Sequence, residues 1–96
     1  MKYEPIPKYE SIPKVEIVEA IKWDGSADAV SAMMQLGIRR IGMIFNELEP
    51  PYLEIQVFGY GPPTIVRAHL GDYVVKGETI KAQKPDYFEA NYHRIE

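Results

Sequence analysis

Seven glycines and eight prolines punctuate this chain of 96 residues so closely that only short elements fit between them. Proline fixes φ and removes a backbone donor, and glycine inside a helix or strand costs conformational entropy, so both collect where elements end. Most of the intervening segments alternate apolar and polar residues, the period of a strand, and two carry the longer period of a helix.

Residues 15 to 23, VEIVEAIKW, read as a strand with Val15, Ile17, Ile21 and Trp23 on one face and Val18 and Ala20 on the other. Apolar residues on both faces place it inside its sheet. Asp24-Gly25 ends it. Ser26 then caps a helix reaching about Leu36, with Asp28 in the first turn, Val30, Met33 and Met34 as the buried stripe, and Gly37 as a left-handed stop. In IRRIGMIFN, Ile41, Met43 and Phe45 share a face. After Pro50-Pro51, YLEIQVF sets Leu53, Ile55 and Val57 against Tyr52, Glu54 and Gln56. GYGPP turns the chain into a strand from Thr64 to Leu70 with Val66, Ala68 and Leu70 inward. Gly71-Asp72 and Gly77-Glu78 introduce short strands at 73 to 76 and 80 to 83, and Pro85 and Asp86 open a short helix in which Phe88 and Tyr92 share a face. These spacings predict antiparallel neighbours.

The first thirteen residues differ in kind. Lys-Tyr-Glu-x-Ile-Pro at 2 to 7 recurs at 8 to 13, and an even period keeps Tyr3 with Tyr9 and Ile6 with Ile12 on one side of an extended chain. Pro5, Pro7 and Pro13 exclude helix and make a poor central strand. Residues 1–14 are therefore expected to form an extended arm beside one globular domain, 15–96. Ordering an arm costs roughly 1 to 2 kcal/mol per residue, about what burial of its tyrosines and isoleucines returns. It would order only against a complementary surface, which makes Tyr3, Ile6, Tyr9 and Ile12 partner-binding candidates. A disordered tail with a chance duplication is the alternative.

Eleven basic residues interspersed among fourteen acidic ones provide no one-sided field for nucleic acid. No apolar run approaches the ~20 residues a bilayer requires, and no charged segment precedes an apolar one at the start, so neither a membrane partner nor export is expected. The absence of cysteine excludes disulfides, thiolate catalysis and cysteine-based zinc sites.

Among polar candidates, Glu19 stands out because Val15, Ile17, Ile21 and Trp23 share its strand face. A buried carboxylate needs a partner, and Arg39, Arg40 and Arg67 are available; an ion pair, an outward turn at a bulge, or a ligand-binding role remain open. Arg39-Arg40 follows a helix C-terminus, where cations complement the dipole, and the guanidinium fork also suits phosphate oxygens. His69 falls on the strand face of Ile65 and Arg67, opposite the core, and His93 lies near a charged C-terminus. Asp72 is expected to accept a backbone hydrogen bond within its turn. Gly59-Tyr60-Gly61 is no phosphate loop, since no Gly-Lys-Ser/Thr follows and two prolines remove amide donors. No triad, paired carboxylates or histidine spacing stands out, so no enzyme activity, metal or cofactor is expected.

VEAIKWDG at 18 to 25, GDYVVKG at 71 to 77 and KPDYFEANY at 84 to 92 together resemble a widespread family of small bacteriophage proteins. Leu70 departs from a proline common before the Gly-Asp, and the doubled arm departs as well. The resemblance implies a phage gene and an α+β fold. That fold agrees with the elements above: a small, mostly antiparallel sheet or partial barrel with one central helix, a short C-terminal helix and an extended N-terminal arm. The expected function is non-catalytic, by protein–protein contact. The chain would be a virion-associated subunit, such as a capsid decoration or minor capsid protein, or a homo-oligomer, its arm docked on a neighbour. Its partner would be itself, a phage structural protein or a host protein, in the virion or the host cytoplasm. The alternative is an intracellular accessory protein that binds a small phosphorylated ligand through Arg39, Arg40 or Arg67, or that binds a host protein in counter-defence.

Overall fold

The structure is a computed structural model that describes residues 7–11, 16–38, 40–58 and 61–95. In chain order its elements are β1 (Lys8–Ser11), β2 (Ile17–Lys22), α1 (Ala27–Gln35), β3 (Ile41–Ile44), β4 (Tyr52–Val57), β5 (Thr64–His69), β6 (Tyr73–Lys76), β7 (Ile80–Gln83), α2 (Pro85–Asn91) and β8 (Tyr92–Arg94). The strands form a five-stranded sheet in the order β7-β6-β2-β1-β8 and a three-stranded sheet in the order β3-β4-β5, every described pair antiparallel. The fold is α+β, as expected from the residue pattern. No helix among the described residues is long and apolar enough to cross a membrane.

Strand β2 carries apolar residues on both faces because both faces are covered. Ile21 and Trp23 join Val74 of β6, Met33 of α1, and Leu53, Ile55 and Ala68 of the smaller sheet in the main core. On the opposite face Val18 and Ala20 pack with Tyr73, Val75 and Phe88 of α2. Full burial of Trp23 and Phe88 stabilises the fold by about 4 to 6 kcal/mol per ring, at ~25 cal/mol per Å² over roughly 150 to 250 Å². Helix α1 starts where Ser26 accepts a hydrogen bond from the Ala29 amide, and it stops at Gly37, whose φ of 90° suits glycine. Lys76 donates to the Leu36 carbonyl, satisfying one of the groups left open at the helix end.

The Gly71-Asp72 turn locks the two sheets together. Asp72 is buried, and its carboxylate accepts from the His69 amide at 3.0 Å, the turn bond expected from sequence. Either side of it, the Trp23 amide donates to the Asp72 carbonyl at 3.0 Å and the Gly71 amide to the Trp23 carbonyl at 2.8 Å. The motifs behind the family resemblance thus meet in space: the β2 motif pairs with β6, and Phe88 and Tyr92 stack on one another beside Tyr73.

The arm requires the largest correction. Lys8–Ser11 is an interior strand, paired with β2 on one side and β8 on the other. Pro7 falls just outside it, and the sequence has no proline again until Pro13, so the four residues of the strand are free of proline. Tyr9 belongs to the protein's own core, its ring edge-on to Phe88 at 4.8 Å and to Tyr73 at 6.1 Å, and so is not available to grip a neighbour. Only the second copy of the repeat is chemically able to hold this slot. Ser11 donates its amide to the Glu16 carbonyl and accepts from the Glu16 amide through its hydroxyl, and the first copy has Pro5 at the equivalent position, with neither group. The boundary expected at 14/15 therefore fails for residues 8–11. Tyr3, Ile6 and Ile12 lie outside the described residues.

Three apolar residues assigned inward are exposed. Met33 of α1 and Leu36 at its cap are buried, with Ala29, Val30 and Ala32 packed half-buried against the same core, and Met34 sits one step round the helix at 51% exposure. Leu70 follows β5 in a turn rather than lying on its core face, and Ile17 opens β2 before that strand's first pairing with β6, at Glu19 and Lys76.

Ser11→Pro, which makes the two hexapeptide copies alike through that position, is expected to lower stability by about 1 to 3 kcal/mol in urea unfolding, since it removes both hydrogen bonds to Glu16, each worth roughly 0.5 to 1.5 kcal/mol. Burial pushes the Tyr73 hydroxyl above its ordinary value, helped by the Glu89 carboxylate, and burial followed by the Glu16 charge does the same for Tyr92. A raised folded value means that the neutral rings contribute fully below the unfolded tyrosine value of ~10 and that the contribution is lost as pH rises through the folded value. Thermal unfolding between pH 9 and 12, chosen as roughly the window around that value, should show stability falling at the alkaline end, less steeply in Tyr73→Phe.

Candidate functional site

Alternation and register divide the smaller sheet into a core face and an outer face. Leu53 and Ile55 of β4 and Val66 and Ala68 of β5 point inward; Tyr52, Glu54 and Gln56 stand outward, opposite His69, Arg67 and Ile65. Strand β3 adds Gly42 and Ile44 to the outer face, and Arg40 continues it, since the Gln56 amide donates to the Arg40 carbonyl at 3.0 Å. No described element packs over this surface.

Charged and aromatic groups interleave across it. The Arg67 guanidinium lies 5.6 Å from the Tyr52 ring centre, with its Nε 3.4 Å from a Glu54 oxygen. Tyr52 in turn sits 5.7 Å from the His69 ring, and Arg40 lies 5.4 Å from the ring of exposed Phe58. At such exposure each cation–π contact is worth about 0.5 to 1 kcal/mol and the ion pair less than ~1 kcal/mol, too little to matter to the fold. Their effect is to hold the planar groups in place. Between them is a shallow hollow above Gly42, lined by Arg40, Glu54, Gln56 and Ile65, where an added Cβ would meet nothing within 4 Å.

Arg40 and Arg67, two of the expected ligand-binding residues, therefore share one face. Glu19 is on the other sheet, away from Arg40 and Arg67. Register places it half-buried between Lys8 of β1 and Lys76 of β6, beside a second open hollow that also contains Glu16 and Glu78. Arg39 lies outside the described residues. His69 is exposed on the outer face as expected, its Nδ1 3.7 Å from the Asp72 carboxylate. No group of three or more metal-ligating side chains occurs among the described residues. Sequence reasoning singled out the arginines but passed over Tyr52, Phe58, Ile65 and Gly42. The available signal was the alternation of YLEIQVF against the following strand, which in antiparallel register sets Arg67 across from Glu54.

Comparison with protein-family models, with curated proteins and with solved structures gives no match.

Glycine in a strand forgoes side-chain packing, and here it leaves the hollow open, with no positive φ to require it. Gly42→Val is expected to raise stability by about 0.5 to 1 kcal/mol in chemical unfolding, which would show that the fold does not depend on this glycine.

Proposed function

We propose that this chain is a non-catalytic bacteriophage protein that acts by binding other proteins, as a virion-associated or oligomeric subunit in the virion or the host cytoplasm. The supporting observation is the outer face of β3-β4-β5: a sheet surface that no described element covers, carrying isoleucine beside arginine, tyrosine and phenylalanine, the last three being residue types enriched in protein interfaces. The motif resemblance supports phage origin, and with it a phage structural protein or a host protein as partner. Tyr9 plays no part in the contact.

Capture of a small phosphorylated ligand, as in counter-defence, is the second reading, supported by Arg40 and Arg67 lying on one face. Glu54 weighs against it, because its carboxylate lines the same hollow and is already paired with Arg67. A protein surface with polar and apolar groups in mixture fits that lining better.

A photo-crosslinking residue at Gln56, on the face, and another at Lys81, on β7 of the other sheet, separate these ideas in infected or expressing cells. A discrete protein adduct is expected from position 56 alone, reduced at least ten-fold by Tyr52→Ala with Arg67→Ala. Equal adducts from both positions, or none from position 56, would refute the protein-binding reading.

A further inference from the structure

The edges of the sheets are not alike. Strand β8 is a three-residue edge containing His93 and Arg94; β7 carries Lys81 and runs into Pro85; β5 follows Pro62-Pro63 and lies beside β7. These are the usual devices that keep a sheet edge from pairing with another chain. Strand β3 has none of them. Its sequence is Ile41-Gly42-Met43-Ile44, followed by Phe45, without charge or proline.

Hydrogen-bond parity shows what this edge offers. Because the Gln56 amide bonds to Arg40, residues 40, 42 and 44 form the bonded pairs with β4, and the amides and carbonyls of Ile41 and Met43 point away along the free edge. No described residue bonds to them. Met43 and Phe45 are 36% and 66% exposed beside these groups.

We propose that β3 pairs with β3 of a second copy, antiparallel across a two-fold axis, joining the two smaller sheets into one of six strands. Two features select a second copy over an unrelated strand. With Met43 opposite Met43, Ile44 of each copy stands opposite Gly42 of the other and enters the hollow above it, so that knob and hole match twice. Charge matches as well. Arg40 precedes the strand and Glu47 and Glu49 follow it, so antiparallel pairing brings opposite charges together at both ends. The Asn46 side chain accepts from the Leu48 and Glu49 amides and thereby fixes the acidic end. Such pairing would set two outer faces side by side, but it does not rest on those faces binding a partner.

The absence of cysteine allows a direct test on the full chain. Met43→Cys is expected to cross-link to itself through a short bis-maleimide, and Lys81→Cys is not. Sedimentation equilibrium should show a concentration-dependent dimer, weakened at least ten-fold by Gly42→Val, a variant expected to remain folded by circular dichroism. Arg40→Glu and Glu47→Arg should each weaken the dimer, and the double exchange should restore it. A monomer at all concentrations, a dimer that position 43 fails to cross-link, or one indifferent to Gly42→Val would overturn the proposal. Face binding, read at Tyr52 and Arg67, can fail or succeed independently.

Discussion

The placement of Lys8–Ser11 between β2 and β8 is the constraint on which the larger sheet depends. Without that strand the sheet would break into β7-β6-β2 and an unpaired β8, and the Tyr9 ring would leave the cluster it forms with Tyr73, Phe88 and Tyr92. Edge-to-face and stacked ring contacts add about 0.5 to 1.5 kcal/mol each beyond their burial. In a chain of this size, whose whole margin is on the order of 5 to 15 kcal/mol, several such contacts are a large share. The two ends of the chain are thereby joined, since the Ile95 amide donates to the Lys8 carbonyl at 2.9 Å.

Helix α2 and its aromatic cluster occupy one side of the large sheet; α1 and the inward residues of the small sheet occupy much of the other. No described element remains to cover the outer side of the small sheet. Its arginines and aromatic rings are consequently held by a rigid scaffold yet open to solvent, a combination that reduces the ordering cost of binding.

Much of the fold was legible from local pattern. Alternation placed β3, β4 and β5, glycine turns placed β6 and β7, Ser26 and Gly37 bounded α1, and apolar residues on both faces marked β2 as interior. What escaped notice depends on distant partners. Strands β1 and β8 are short, and each becomes a strand only because the other end of the chain supplies its neighbour. Three prolines made the duplicated hexapeptide read as an arm, although the decisive difference is a single position, Ser11 against Pro5. For the same reason Glu19 was matched to arginines: with β1 unrecognised, Lys8 was invisible as its cross-strand neighbour. The outer face was half legible, since charge drew attention to Arg40 and Arg67, while the aromatic groups beside them became visible only through register.

Amide hydrogen exchange on the intact chain tests the central claim most directly. Register and bond parity make the Tyr9 amide a donor to β2 and the Glu10 amide a donor to β8. Their exchange should be as slow as that of Val74 and Val75 in β6, requiring the sheet to open as a unit. Exchange at Tyr9 and Glu10 as fast as in the exposed loop at Glu47 and Leu48 would contradict it.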